Sequence, residues 1–242
     1  MSIIDQYISY TNANFAAFVE FQRTAELIAR KKAILDQLLA EKNLNPISYL
    51  FVGFNPWIFG IDRGKSITLV VHDAAQREWF STNRKDIVLC DSIPVDTKYN
   101  AVIATDEIMS FILDDRDQQQ LCRDLISVCS GIVITTMRDY KNMDPRDREF
   151  SYPIAIKTNN NDTVVYLEHH QQHNSFQWTC FLYKLSQQQS SLMDSYDRRA
   201  VYFRQMAKFF TDAGGKDFYM HKNLWYKNLI KKNFEHLISI TI

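Results

Sequence analysis

The sequence predicts an α/β fold: a doubly wound, mostly parallel sheet with helices on both faces. Two observations carry that reading. Through residues 48–135, short and near-continuous aliphatic runs alternate with segments of helical periodicity, the pattern of parallel strands buried on both faces. Glycine and proline are scarce, 6 and 5 among 242 residues, too few for the many turns of an all-β sandwich. A chain of this length buries a substantial core without staples.

The elements follow in order. From about residue 12 to 42 apolar side chains recur at three- and four-residue steps (Phe15, Phe18, Phe21, Leu27, Ile28, Ile34, Leu38, Leu39), predicting one amphipathic helix or two in series. The period then changes. Residues 48–53 form a short apolar run closed by Gly53, and further buried strands are predicted at 67–71, 86–90, 99–104 and 131–135. Helices are predicted between them at 74–84 and 116–129, the latter with Asp114 or Asp115 as its N-cap. After residue 139 the pattern becomes more polar. Residues 143–150 read as a loop, and 163–168 with 176–184 as two antiparallel strands joined by a His/Gln/Asn turn. The Gln/Ser tract at 186–191 reads as a solvated connection. A helix at 199–213 is stopped by Gly214 and Gly215, and 218–220 with 234–242 supply closing strands. This describes one domain over 46–242, with a β-hairpin insertion near 160–185, behind an N-terminal helical cap at 1–45.

Composition narrows the function classes. Lys plus Arg and Asp plus Glu are equal at 28 each, so no global charge draws the chain to nucleic acid or membrane. The four cysteines (Cys90, Cys122, Cys129, Cys180) sit in apolar contexts without a CxxC pair and read as reduced core thiols of a cytoplasmic protein. No basic region followed by an apolar core opens the chain, so no signal peptide is expected. The most apolar stretch, 49–61, is broken by Asn55 and Pro56 and too short to span a bilayer. His169, His170 and His173 have the residue types of a zinc site but fall in a polar turn, which favours a solvated reading. Asp114, Asp115 and Asp117 lack the spacing and glycine of a calcium loop and read as a helix N-terminus. Basic and aromatic residues mix over 204–236, and with a neutral chain an ordinary solvated face is favoured over a single-strand binding surface.

The informative feature is spacing. Gly53 closes the first strand, Asp73 closes the second 20 residues later, and Asp91 closes the third 18 residues beyond that. In a doubly wound sheet all three fall at one crevice outside the carboxyl ends of the strands. An acidic residue about 20 positions after a first-strand glycine is placed to grip a ribose hydroxyl pair. A second carboxylate then accepts from an adenine amino group. For Asp73 or Asp91 alone, capping of the following turn is the simpler reading; the three positions together favour ligand contact.

On these residues the chain resembles the class I (Rossmann-like) S-adenosylmethionine-dependent methyltransferases of the small-molecule type. Leu50-Phe-Val-Gly-Phe-Asn-Pro-Trp57 matches their first motif in position, Val70-Val-His-Asp73 the ribose motif, and Leu89-Cys-Asp-Ser-Ile-Pro94 the adenine motif. Residues 99–109, with Thr105, Asp106 and Glu107, are similar to the fourth strand and its acidic end. Thr135-Thr-Met-Arg-Asp-Tyr140 resembles the fifth strand end, and 199–242 the last helix and antiparallel seventh strand. The resemblance implies a seven-stranded sheet with an antiparallel last strand. It implies S-adenosyl-L-methionine as cofactor, S-adenosyl-L-homocysteine as product and a small-molecule substrate. It places Gly53, Phe54, Asn55, Asp73, Asp91, Ser92 and Thr105 at the cofactor. Arg138 and Tyr140 fall on the substrate side, where Arg138 suits a substrate carboxylate and Tyr140 or Asp106 suits orienting or deprotonating the nucleophile. The long N-terminal helix is expected over the crevice as a lid.

One departure matters. The family's first turn carries an acidic residue and two further glycines where this chain has Phe51, Asn55 and Trp57. Asn tolerates positive φ, but Trp does so only at a cost. A bulky side chain at Trp57 either swings out, leaving a remodelled loop, or fills the space itself. Either the cofactor is held differently or binding has decayed, so a methyltransferase-like binding or scaffold module stands as the alternative. An RNA methyltransferase using the basic tail is the further one.

Overall fold

The computed structural model describes residues 25–53, 56–72, 74–104, 108–138, 149–150, 154–158, 161–172, 175–184, 189–221 and 235–242. Helix α1 (Ala25–Glu41) leads into β1 (Ser48–Val52), a 3-10 turn (Pro56–Gly60) and β2 (Ser66–Val70). Next come α2 (Ala74–Asn83), β3 (Ile87–Cys90), β4 (Tyr99–Ala104), a second 3-10 turn (Ile108–Phe111), α3 (Asp115–Val128) and β5 (Cys129–Arg138). A group of strands follows: β6 (Glu149–Phe150), β7 (Ile154–Thr158), β8 (Asn161–Gln172), β9 (Ser175–Lys184) and β10 (Gln189–Arg199). Helix α4 (Phe203–Asp212), β11 (Tyr219–His221) and β12 (Glu235–Thr241) close the chain.

The main sheet has seven strands in the order β11-β12-β5-β4-β1-β2-β3. Strands β3, β2, β1, β4 and β5 pair in parallel, while β12 runs antiparallel to both β5 and β11. This is the predicted doubly wound sheet with its antiparallel last strand. Side chains alternate across it, as the two-residue period of a strand requires. Leu50 and Val52 of β1 point to one face, where α3 and α4 bring Leu121, Leu125, Met206 and Phe210. Tyr49 and Phe51 point to the other, where they meet Leu35 and Leu38 of α1, Trp57 of the first 3-10 turn and Phe80 of α2. Each such side chain contributes about 1.5–3 kcal/mol on full burial, so both faces are needed to hold the sheet.

Local signals place the helices. In α3 the buried residues Leu121, Cys122, Leu125, Ile126 and Val128 form one stripe. Its N-cap is Asp114, whose carboxylate accepts from Arg116 N at 2.7 Å, with Asp115 and Asp117 in the favourable first turn. Helix α4 ends where predicted, the chain reversing through Gly214 at φ 99°.

The strand group extends or corrects several expectations. The predicted hairpin is part of a second sheet, β10-β9-β8-β6, with β7 pairing on β8. The Gln/Ser tract is not a connection throughout: Gln189 pairs with Lys184 and opens β10. Backbone groups make the ladder, so a polar tract joins it once β9 presents an edge. Within the predicted loop 143–150, Glu149 and Phe150 pair with β8 for the same reason. His169 and His170 lie in β8 rather than in a turn, with His169 opposite Trp178; His173 is outside the described residues. Arg199 ends β10 instead of starting α4, and donates to Leu113 O at 3.0 Å beside Asp115 at 2.7 Å, tying β10 to the start of α3.

Helix α1 covers a face of the sheet, with Leu35, Leu38 and Leu39 buried in the shared core. The earlier part of the expected lid, residues 1–24, lies outside the described residues. Among the described residues no helix is long and apolar enough to cross a membrane. The thiols of Cys90, Cys122 and Cys129 are free.

Candidate functional site

The strand order reverses between β1 and β4: from β1 the chain steps one way to β2 and β3, and the other way to β4 and β5. The carboxyl ends of these two strands flank the reversal, the place where open α/β sheets bind ligands in a crevice. Gly53 sits at that point. It is buried with φ 76°, a conformation that favours glycine, and its N–H donates to Val70 O at 3.0 Å. The turn thus leaves β1 sharply while β1 and β2 stay paired to their ends.

On the β3 side the sheet ends at Asp91 and Ser92, both exposed. Val71 N donates to Cys90 O at 3.0 Å, closing the β2–β3 ladder. Arg77, in the first half of α2, then reaches back across both strand ends. Its Nη1 donates to Val71 O at 2.9 Å and to Asp91 Oδ1 at 2.5 Å. Asp91 remains open to solvent, its side chain 77% exposed, and Oδ2 has no partner among the described residues. A carboxylate has about four acceptor positions, so the pair with Arg77 leaves capacity for a ligand amino group.

On the other side of the crevice, Thr135 of β5 is fully buried and donates from Oγ1 to Ala104 O at 2.7 Å, locking the ends of β4 and β5 together. The segment after β4 is held from below by Gln118 of α3. Its Nε2 donates to Met109 O at 2.9 Å and to Ile112 O at 2.8 Å. Burial pushes the nearby thiols out of the reactive range: Cys122 is raised to about 12 and Cys129 to about 11.

Of the sequence-predicted site residues, Gly53 stands at the carboxyl end of β1, and Asp91 and Ser92 at that of β3, with β2 between them in the sheet. Arg138 is the last residue of β5, where its backbone pairs with Glu235 of β12. Phe54, Asn55, Asp73, Thr105, Asp106 and Tyr140 lie outside the described residues. Trp57 is only 1% exposed and sits in the core between the sheet and α1. Its side chain therefore belongs to the sheet-face core, which accounts for a tryptophan at a position where the resemblance implies glycine. Sequence reasoning missed Arg77 and Gln118. The available signal for Arg77 was its position four residues after Asp73, one helical turn into α2, on the end of the helix that faces the crevice.

No protein-family model matches the chain, and no curated protein matches it in sequence. Solved structures do match it in fold. DesVI of Streptomyces venezuelae is 10% identical with a TM-score of 0.73, over 99% of this chain and 98% of that one. An amino pentose methyltransferase of Micromonospora echinaspora, solved with S-adenosylmethionine and involved in calicheamicin biosynthesis, is 9% identical with a TM-score of 0.72, over 92% and 94% of the two chains. A sugar N-methyltransferase of Streptoalloteichus sp. is 9% identical with a TM-score of 0.69, over 88% and 87%. The fold is that of the class I methyltransferases. The likeness extends over 88–99% of this chain.

Proposed function

We propose that the protein transfers a methyl group from S-adenosyl-L-methionine to a small-molecule acceptor, with S-adenosyl-L-homocysteine as product. One observation carries the reading: at the switch point of a class I methyltransferase sheet, a buried glycine with positive φ closes β1 while an exposed carboxylate, Asp91, closes β3. The donor set suits a nucleoside. Asp91 would accept from the adenine amino group beside Ser92, Asp73 from the ribose hydroxyls, and Gly53 would let the backbone approach closely, with Phe54, Asn55 and Thr105 as further contacts. The neighbouring structures support the substrate class, since two are named for sugar methyl transfer. Free thiols at Cys90, Cys122 and Cys129 suit a cytoplasmic setting.

The cofactor supplies an activated methyl group on a sulfonium. The remaining task, alignment of a nucleophile, falls to the protein. Arg138, ending β5 on the crevice side, holds an anionic group of the acceptor in a planar two-donor clamp. Tyr140 orients the nucleophile, and Asp106 takes its proton where it arrives protonated. Calorimetric titration with S-adenosylhomocysteine and adenosine tests the cofactor half. Transfer of labelled methyl from S-adenosylmethionine to a panel of small amines and hydroxy compounds, with RNA as a second arm, tests the acceptor. Absence of S-adenosylhomocysteine binding would return the chain to the scaffold reading, and labelling of RNA alone would overturn the acceptor class.

A further inference from the structure

We infer that Arg77 is a positioning residue for nucleobase recognition: it holds Asp91 at the end of β3 so that the carboxylate reads the 6-amino group of the cofactor's adenine. The inference rests on the cofactor reading above. Its basis is geometric. The β2–β3 ladder ends with Val71 N donating to Cys90 O at 3.0 Å. Beyond that rung Val71 O has no backbone partner among the described residues. Arg77 Nη1 supplies the next rung from α2, donating to Val71 O at 2.9 Å and to Asp91 Oδ1 at 2.5 Å. The guanidinium thus fixes Asp91 to the edge of the sheet instead of leaving it on a free loop.

Stability does not explain this arrangement. The Arg77 and Asp91 side chains are 33% and 77% exposed, and an ion pair so open to water and salt contributes little to folding. Its effect is orientation. One Asp91 oxygen is held by Arg77 and the other has no partner among the described residues, so the open acceptor positions are presented in a set direction. A bound base with an amino group donates to that carboxylate, whereas a 6-oxo base presents an acceptor to an acceptor and is rejected.

The test is discrimination, since a merely structural role would not change it. Dissociation constants for S-adenosylhomocysteine and S-inosylhomocysteine, which differ at the 6 position, are measured by calorimetry on the full chain. The native protein should prefer the amino compound by about tenfold or more, the effect of one hydrogen bond to a charged group. Arg77→Ala should reduce that preference to within about threefold, and Arg77→Lys, which keeps the charge but not the planar fork, should retain part of it. In an Asp91→Asn background the Arg77→Ala change should have no further effect on the ratio. An undiminished preference in Arg77→Ala overturns the inference and leaves the cofactor reading standing, and an equal response to both compounds in the native protein does the same. Failure of the native protein to bind either compound overturns the cofactor reading and this inference with it.

Discussion

The two faces of the main sheet are built in different ways. On one face, α3 comes from the crossover between β4 and β5, and α4 from the chain returning to the sheet. The other face has no α-helix between β1 and β2: the helical element of that connection is the 3-10 turn Pro56–Gly60. Its cover comes from Phe80 of α2, the crossover helix between β2 and β3, from Trp57, and from α1, which precedes the sheet. Lys32 of α1 pairs with Asp62 beyond the turn at 3.3 Å, and at the far end Glu41 approaches buried His221 of β11. The first face is covered by two helices, and the second adds to crossover helix α2 one tryptophan and a segment brought from before the sheet. A short connection therefore transfers the burden of burial to neighbours, and Trp57, at a position where the resemblance implies glycine, becomes a core residue.

The sharpest way to break this comparison is Trp57→Ala. Truncating a fully buried tryptophan should cost about 3–5 kcal/mol, read as a lower denaturant midpoint. A loss below about 1 kcal/mol would show that α1 and Phe80 hold the face without it. On the other face, Gln118→Ala leaves Met109 O and Ile112 O without their donor and should cost about 1–3 kcal/mol. Urea unfolding measures both on one scale. Asp114→Ala removes the α3 cap and should cost about 1 kcal/mol, while Asp114→Ser should recover most of it.

Smaller effects separate the faces by their titrations. Burial lowers His221 from its ordinary value of 6.5, opposed by Glu41 at 3.9 Å and reinforced by Lys42, and its Nε2 lies 2.8 Å from Ser239 Oγ. The unfolded chain then binds the proton more readily than the folded one. Stability from this group is complete above the ordinary value and declines as pH falls through it toward the lower folded value. His221→Gln should flatten the pH dependence of unfolding in that window, and an unchanged slope would remove His221 from the account. On the α3 side, Cys122 and Cys129, raised to about 12 and 11, should resist alkylation by iodoacetamide at pH 8 in the folded protein and react after denaturation. Peptide mapping reads this directly, and early labelling of either thiol would mean that this face opens locally.

The parts of the molecule that could be read without coordinates are those specified by neighbours in the chain. The strands announce themselves by short aliphatic runs, α3 by its apolar stripe and Asp114, and the end of α4 by Gly214. That Gly53 and Asp91 follow strands ending at one edge was legible because crossover connections bring the carboxyl ends of parallel strands to the same edge; Asp73 lies outside the described residues. Other features depend on contacts between distant segments. Gln189 becomes part of a strand only because β9 offers an edge, and Arg199 leaves the expected helix for the same ladder. Trp57 could have pointed to the crevice or to the core, and the arrival of α1 over that face provided a core for it to enter. Arg77 and Asp91 are 14 residues apart and meet only after β2 and β3 have paired. Periodicity and capping are local free-energy terms and are written in local sequence, whereas the direction of a side chain and the partner of a charge depend on surfaces that exist only once the sheet has formed.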